Sequence, residues 1–418
     1  MTQRYDTYKD SGVQWLGEIP GHWGCVRLNK LAYLKTGSTP KFFENKLFDE
    51  TIDWYTPSDF NEDFSLGKAR RRLNRKDFED CGLNYIPANS VLLIGIGATA
   101  GKVSCNTREC YSNQQITSII PNNRMISFYM MLYLRSIRNI ILKTAHYTTL
   151  PILNNLFLAG IRLPLPPLSE HHSIVSYLDD KCGKIDEWVT KKQKEVEHLQ
   201  ELKQRVIADA VTRGLNPNVK MKATNIPWLK EIPEHWEIKR SKYLLKLLTE
   251  STKRTRKIGL ENIESNTGKF ILTETIFDGD GVDFDCGDIL YGKLRPYLNK
   301  VWLAEFDGNA VGDFYVYRAI NGYFNSFAKY LLMSSCFVGI SNASTYGAKM
   351  PRVSSQFIHS LHFPVPPLSE QKQIVSYLDA KCSKIDKLIA NITKEIECIK
   401  EYKQRLISDV VTGQIKVC

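Results

Sequence analysis

The sequence predicts an α+β fold in which two mixed α/β domains are separated by two long antiparallel helices, paired as a coiled coil with pseudo-twofold symmetry. Residues 164–212 and 364–412 align without a gap at an offset of 200, and 28 of the 49 aligned positions are identical. Upstream, residues 15–23 and 228–236 share the pattern Trp-Leu-x-Glu-Ile-Pro-x-His-Trp. Each half therefore has a matched start, a divergent middle and a matched end, as duplication followed by divergence would leave it.

These markers divide the chain into five parts. The predicted boundaries are residues 1–162 for the first domain, 163–213 for a central helical spacer, 214–227 for a linker, 228–362 for the second domain and 363–413 for a C-terminal helical spacer. The linker is predicted from Gly214, Asn216 and Pro217, which stop a helix and favour a turn.

The matched ends predict the long helices. Ser169 is the predicted N-cap, with Glu170 in the first turn. Apolar residues then recur in alternating steps of four and three, the pattern of a coiled-coil seam, with Lys192 and Lys203 at two of its positions. The predicted helix-pairing residues are Leu178, Ile185, Val189, Val196, Leu199, Val206, Leu378, Ile385, Ile389, Ile396, Ile399 and Leu406.

Each helix is predicted to be about 65 Å long at a rise of 1.5 Å per residue. Gly183 leaves two alternatives open for the first helix, one continuous helix or a short helix followed by a longer one. Packing of each stripe on its own domain is the alternative to pairing of the two helices.

The divergent middles predict the mixed domains. Residues 90–95 and 287–292 are short apolar runs bounded by glycine and are predicted strands. Residues 126–142 and 324–333 are predicted helices. Alternation of such elements over 130–150 residues is typical of an α+β domain.

Composition points to a polyanionic partner. The 418 residues carry a formal net charge of +11, which favours nucleic acid or anionic lipid. Neither a run of 18 apolar residues nor an apolar N-terminal signal is present, and the ten cysteines contain no Cys-x-x-Cys pair. We therefore expect a cytoplasmic protein without a metal site.

Basic clusters within both middles are candidate DNA contacts. Dense cations can neutralise phosphates, whereas the alternative for any single cluster is a solvated surface loop. The predicted contacts, most of them to phosphate, are Arg70, Arg71, Arg72, Lys102, Lys293, Arg295, Lys349 and Arg352.

Several motifs that suggest catalysis fail on inspection. Residues 95–102 resemble a phosphate-binding loop, but Ile96 and Val103 occupy positions where the motif needs glycine and Ser or Thr. His22 and His235 precede Trp23 and Trp236, and we expect them to pack rather than to catalyse. The sequence thus predicts no catalytic residues in this chain.

The repeated segment Pro-x-Pro-Pro-Leu-Ser-Glu leading into Ile-Val-Ser-Tyr-Leu, with the Trp-Leu-x-Glu-Ile-Pro-x-His-Trp markers, resembles the specificity subunit of type I restriction–modification systems. Short segments inside the middles, such as 97–102, 259–263 and 293–297, agree with this. One departure is His171-His172, where the family usually has a polar pair such as Glu-Gln.

The resemblance implies a non-catalytic subunit in which each middle is a target-recognition domain for one half of a split, asymmetric duplex DNA target. It also implies that the helices dock two modification (methyltransferase) subunits and that restriction subunits, ATP-driven translocases, join the assembly. S-adenosylmethionine, ATP and Mg²⁺ would belong to those partners, and this chain would hold no cofactor. The alternatives are a protein-binding scaffold, a self-sufficient enzyme, and the specificity subunit of a related fused restriction–modification enzyme.

Overall fold

The protein is described here by a computed structural model, which covers residues 3–39, 51–61, 65–74, 83–144, 151–251, 254–347 and 350–417. It forms two compact units. The first contains Met1–Lys191 together with Glu395–Cys418, and the second contains Lys192–Lys394. Each unit therefore includes one mixed domain and one part of each long helix.

The first unit is built around a four-stranded antiparallel sheet of order β4-β10-β7-β8 and a three-stranded sheet of order β6-β5-β9. Its strands are β1 Tyr8–Asp10, β2 Glu18–Pro20, β3 Gly24–Arg27, β4 Ala32–Thr36, β5 Thr51–Tyr55, β6 Arg71–Asn74, β7 Val91–Ile94, β8 Val103–Cys105, β9 Cys110–Ser112, β10 Ile116–Pro121 and β11 Arg162–Leu165. Its short helices are α1 Leu28–Leu31, α2 Ser127–Ser136, α3 Arg138–Thr144 and α4 Asn155–Gly160.

The second unit repeats this plan with sheets of order β15-β21-β18-β19 and β16-β20-β17. Its strands are β12 Met221–Ile226, β13 Leu229–Pro233, β14 Glu237–Arg240, β15 Leu245–Leu248, β16 Lys257–Ile258, β17 Gly281–Phe284, β18 Ile289–Gly292, β19 Val301–Leu303, β20 Gly308–Val311, β21 Phe314–Ala319 and β22 His362–Val365. Its short helices are α6 Asn325–Met333, α7 Ser335–Ala343 and α8 Ser355–Ser360. All four elements predicted in the middles are present, within a few residues of their predicted ends, although the helix predicted over 126–142 is divided into α2 and α3.

The two domains diverge at the edge of the smaller sheet. The three-stranded sheet of each domain contains one parallel pair of strands, β5 with β9 in the first domain and β16 with β20 in the second. In the first domain β6 extends this pair on the β5 side, whereas in the second β17 extends it on the β20 side. The arginine-rich strand β6 is therefore a feature of the first domain.

The long helices are α5 Leu168–Arg213, of 46 residues, and α9 Leu368–Val411, of 44 residues. The helix α5 runs without interruption through Gly183, which settles the alternative in favour of one helix. Both helices begin one residue before the predicted serine cap. The first backbone hydrogen bonds, from Glu170 N and His171 N, are accepted by Pro167 O (2.9 and 3.1 Å), so Ser169 lies inside the first turn.

Within each unit the long helices run antiparallel. In the first unit Leu178, near the start of α5, shares a core with Leu406 and Val410 near the end of α9. In the second unit the roles are exchanged, and Ile207 of α5 shares a core with Ile374 of α9. All twelve residues predicted for the helix seam are buried or half-buried. The fold is thus the predicted α+β arrangement with an antiparallel pair of long helices.

Candidate nucleic-acid interface

Two loops follow the same backbone path, one in each domain. Loop 1 is residues 94–102 and loop 2 is residues 292–300, at an offset of 198. Three backbone hydrogen bonds of loop 1 have counterparts in loop 2. Loop 1 has Gly95 N to Gln115 O (2.7 Å), Leu153 N to Gly95 O (2.7 Å) and Gly97 N to Pro151 O (3.3 Å). In the same order, loop 2 has Lys293 N to Asp313 O (2.9 Å), Val353 N to Lys293 O (3.1 Å) and Arg295 N to Pro351 O (2.7 Å). The degenerate phosphate-loop motif of residues 95–102 is therefore a turn that recurs in the second domain without its glycines.

The side chains on this shared path differ between the domains. Where loop 1 and its neighbours carry Gly95, Gly97, Gln115 and Ile152, loop 2 and its neighbours carry Lys293, Arg295, Asp313 and Arg352. At these positions the shared backbone therefore carries no charged side chain in the first domain, and three cations and one carboxylate in the second.

Three of the predicted contacts come together at loop 2. Arg352 Nη2 lies 3.1 Å from Asp313 Oδ2, and Lys293 Nζ lies 3.8 Å from Asp313 Oδ1. The hydrogen bond from Arg352 to Asp313 raises the pKa of the arginine above its ordinary value. Arg295 is exposed. Two cations thus share one carboxylate, and the exposed Arg295 adds a third positive charge to the same loop.

Aromatic rings accompany these cations. Lys293 Nζ lies 5.3 Å from the centre of the Tyr315 ring, a cation–π contact. Tyr297 and Tyr346 are 50% and 61% exposed, and the backbone of Tyr346 pairs with that of Arg352. Exposed tyrosine beside arginine and lysine is a composition suited to the sugar–phosphate backbone.

In the first domain the predicted arginines lie in β6 or directly before it, beside acidic residues of β5 and of the turn after β5. Arg72 Nε donates to Asp53 Oδ1 at 2.7 Å, and the guanidinium of Arg71 lies 5.8 Å from the centre of the Trp54 ring. Arg70 is anchored through its backbone N, which donates to Asp59 Oδ1 at 3.1 Å.

Two predicted contacts stand apart from these groups. Lys102 Nζ donates to Asn61 O at 3.3 Å, and Lys300, its equivalent in loop 2, donates to Leu260 O at 2.7 Å. Both ammonium groups therefore hold a neighbouring turn of their own domain. Lys349 lies outside the described residues.

Sequence reasoning missed the carboxylates that orient these cations. Asp53, Asp59 and Asp313 are between 11 and 39 residues from the arginines they hold in the sequence, so no local pattern links them. A pairing prediction for β5 with β6 would have placed Asp53 opposite Arg72, because the two residues are register partners.

The matched start and matched end of each half are joined through a half-buried carboxylate. Glu170 Oε2 accepts from Trp23 Nε1 (3.0 Å), and Glu170 Oε1 lies 2.6 Å from His22 Nε2. Burial alone would raise the pKa of Glu170, but hydrogen bonds from His22, Trp23 and Tyr5 lower it below its ordinary value.

The same clasp occurs in the second unit. Glu370 Oε2 accepts from Trp236 Nε1 (3.0 Å) and lies 2.9 Å from His235 Nε2. Both histidines thus contact the first turn of a long helix. Each recognition domain is fixed to the start of the helix that follows it.

Ion pairs link the long helices at equivalent places in the two units. Lys203 Nζ lies 2.7 Å from Asp386 Oδ1 in the second unit, and Lys403 Nζ lies 2.6 Å from Asp186 Oδ1 in the first. Lys203 is one of the two lysines found in the predicted seam, and it is 6% exposed. Since each pair joins a residue early in one helix to one late in the other, the pairs support the antiparallel register.

Each long helix also carries a second apolar stripe, about 100° around the helix from the seam. In α9 it is Tyr377, Leu388 and Tyr402, which are 38%, 51% and 53% exposed. The equivalent positions of α5 are Tyr177, Trp188 and Leu202. Lys181 and Lys381 lie 5.6 and 5.9 Å from the rings of Tyr177 and Tyr377, so even the cation–π contacts repeat.

Within the described part of the chain no group of three or more His, Cys, Asp or Glu side chains is arranged to hold a metal ion. A search of the same residues found no helix long and apolar enough to cross a membrane.

Two related domains that carry unlike basic surfaces, each clasped to one of two antiparallel helices, define a class of protein that recognises a two-part polyanion. The family model of the type I restriction modification DNA specificity domain matches residues 20–198 and again 233–398. The chain belongs to this family and is a specificity subunit of a type I restriction–modification system with two target-recognition domains.

Relatives of known function agree over nearly the full length. The MjaVIII specificity subunit of Methanocaldococcus jannaschii is 23% identical, with 96% of this chain and 94% of the relative covered. The EcoDI specificity subunit of Escherichia coli is also 23% identical, with 96% and 90% covered.

Solved structures agree in fold. A chain from a study of complex assembly and conformational transition of the type I R-M system has a TM-score of 0.72 at 13% identity, with 94% of this chain and 98% of that chain covered. The HsdS subunit from Thermoanaerobacter tengcongensis has a TM-score of 0.51 at 14% identity, with 95% and 98% covered.

Proposed function

We propose that this subunit directs its complex to an asymmetric, bipartite target in duplex DNA, with one half-site for each domain. The observation that carries the proposal is the pair of equivalent loops. One backbone path bears Gly97 and Ile152 in the first domain and Arg295 and Arg352 in the second. Domains that differ in charge at equivalent positions are suited to unlike half-sites.

The proposed DNA-facing surfaces are the β6 arginines of the first domain and the loop 2 cations of the second. In both, acidic side chains hold some of the cations in place, which reduces the conformational entropy lost when they bind phosphate or a base edge. The predicted contacts Lys102 and Lys349 stay part of the proposal, although Lys102 already donates to a backbone carbonyl.

The long helices are proposed to dock two modification subunits, one beside each repeat. The second apolar stripe supports this, because aromatic and apolar residues recur at the same positions of α5 and α9, and all three of those in α9 are exposed. In this proposal the partners bind S-adenosylmethionine, ATP and Mg²⁺ and carry out methylation and cleavage, and restriction subunits join the same assembly in the cytoplasm. This chain contributes recognition and spacing.

The decisive experiment maps methylated adenines in a host that expresses the modification subunit with or without this chain. We expect a split motif with two different halves that appears only when this chain is present, in a complex whose native mass contains two modification subunits. A palindromic or uninterrupted motif would contradict the proposal. As a control, exchange of residues 228–362 for those of another specificity subunit should replace one half of the motif and leave the other unchanged.

A further inference from the structure

Loop 2 places an arginine where the backbone favours glycine. Arg295 has φ 50° and ψ 67°, in the left-handed region, and its equivalent in loop 1 is Gly97 with φ 107°. The second left-handed position of the turn pairs Asn299 with Gly101. Glycine tolerates this conformation because it has no Cβ, and asparagine because its short side chain can hydrogen-bond locally; other residues are disfavoured there. Of these four residues, Arg295 is therefore the least suited to the left-handed conformation.

The contacts of Arg295 with the described residues do not offset this backbone strain. Its backbone N donates to Pro351 O at 2.7 Å, a hydrogen bond that Gly97 makes equally well to Pro151 O. Among the described residues its guanidinium has neither an ion pair nor a hydrogen bond. A residue that strains the backbone without stabilising the fold is a candidate for a functional contact.

The surroundings indicate what that contact is. Lys293 and Arg352 share Asp313, so the group with Arg295 keeps two uncompensated positive charges. Arg295 is exposed and lies on the backbone path that loop 1 and loop 2 share. Most hydrogen bonds between proteins and DNA go to phosphate and sugar oxygens, and Arg and Lys are prominent donors of them, so an exposed arginine in this cationic group fits a phosphate.

We propose that Arg295 binds a backbone phosphate of the duplex within the half-site of the second domain, and that loop 1, with Gly97 at this position, makes no such contact. The inference rests on the proposed DNA-binding function and adds to it that the two domains grip the duplex unequally. Arg295 is then a phosphate-binding residue that positions the domain and leaves the recognised sequence unchanged.

The test replaces the charge while keeping the backbone conformation. Arg295→Asn in the full chain should fold normally, because asparagine adopts the left-handed conformation. The probe is a duplex that contains the mapped methylated motif with both half-sites. Its binding is measured by fluorescence anisotropy over a range of salt concentrations. Loss of one phosphate contact should reduce the slope of log Kd against log salt by about 0.9. The thermal midpoint should stay equal or rise.

Two further variants complete the test. Arg295→Lys keeps the charge and should retain most of the slope. Arg240→Asn removes another exposed arginine of the second domain and should leave the slope as it is. An unchanged slope for Arg295→Asn, or an equal change for Arg240→Asn, would overturn the inference.

A relaxed methylation motif in one half-site would also overturn it, since Arg295 would then read a base. If the unmodified chain, alone and with its modification subunits, shows no salt-dependent binding to duplex DNA, the proposed function itself fails, and this result is distinguishable from the others.

Discussion

At the scale of single residues, His171 shows how one difference between the two repeats changes the hydrogen bonding of a buried side chain. It is 3% exposed, its ring stacks on Tyr129 at 4.8 Å, and neither ring nitrogen has a hydrogen-bond partner among the described residues. Its equivalent Gln371 donates to Pro366 O (2.9 Å) and accepts from Phe324 N (2.8 Å). A histidine at this place is therefore buried with its polar atoms unsatisfied, where a glutamine is satisfied.

We predict that this histidine makes the protein acid-sensitive. Burial, and then the neighbouring His172, lower the pKa of His171 to about 4 from an ordinary value near 6.5. Between these values the unfolded chain binds more protons than the folded one, so stability is complete above pH 6.5 and falls as the pH drops towards 4. The loss is at most about 3 to 4 kcal/mol.

Urea unfolding at a series of pH values checks this prediction. His171→Gln should flatten the decline between pH 6.5 and 4, whereas His172→Gln, which changes the exposed neighbour, should keep it. Equal pH profiles for the unmodified chain and His171→Gln would show that other groups cause any acid sensitivity.

At the scale of elements, the long helices were the most predictable part of the fold. Their heptad pattern extends over more than forty residues and occurs twice, so local errors average out. The sequence could not show how Lys203 is accommodated in the seam, because its partner Asp386 is 183 residues away. For the same reason Glu170 was predicted as a favourable acidic residue in a first turn, and its clasp with Trp23 was not foreseen.

The two Lys–Asp pairs make a prediction about burial. Asp386→Asn would leave the buried ammonium of Lys203 without its partner and should lower the free energy of unfolding by about 3 kcal/mol. The same change in the equivalent pair, Asp186→Asn, removes a carboxylate that is 62% exposed and should cost less than about 1 kcal/mol. Denaturant unfolding of both variants measures the difference, and equal losses would refute the assignment of Lys203 as a buried charge.

At the scale of the whole molecule, the repeats explain why the family was evident from the sequence while the DNA contacts were not. The Pro-Pro-Leu-Ser-Glu and His-Trp segments meet at one clasp in each unit, so they mark the architecture shared by both halves. Several of the proposed contacts lie on loops whose equivalence appears only in three dimensions. Loop 1 and loop 2 share a path but only Lys102 and Lys300 among their aligned residues.

The antiparallel ion pairs also limit how the long helices can be shortened. On α5 the interval from Asp186 to Lys203 is 17 residues, and the interval from Asp386 to Lys403 on α9 is the same. A heptad removed from α5 alone would make these intervals unequal, so the two ion pairs could not form together. Removal of residues 190–196 and 390–396 would shorten both intervals equally and keep both pairs.

We predict that this paired deletion shortens the spacer of the methylated motif and leaves the sequences of both half-sites unchanged. Seven residues correspond to about 10 Å of helix, or about three base pairs at 3.4 Å each. The deletion turns each helix by only about 20° per heptad, whereas three base pairs turn the duplex by roughly 100° at 10–10.5 base pairs per turn. Binding should therefore weaken as the spacer shortens. Methylome mapping measures the spacer, with the α5 deletion alone as the control that loses stability, and an unchanged spacer in the paired deletion would refute the role of the helices as a ruler.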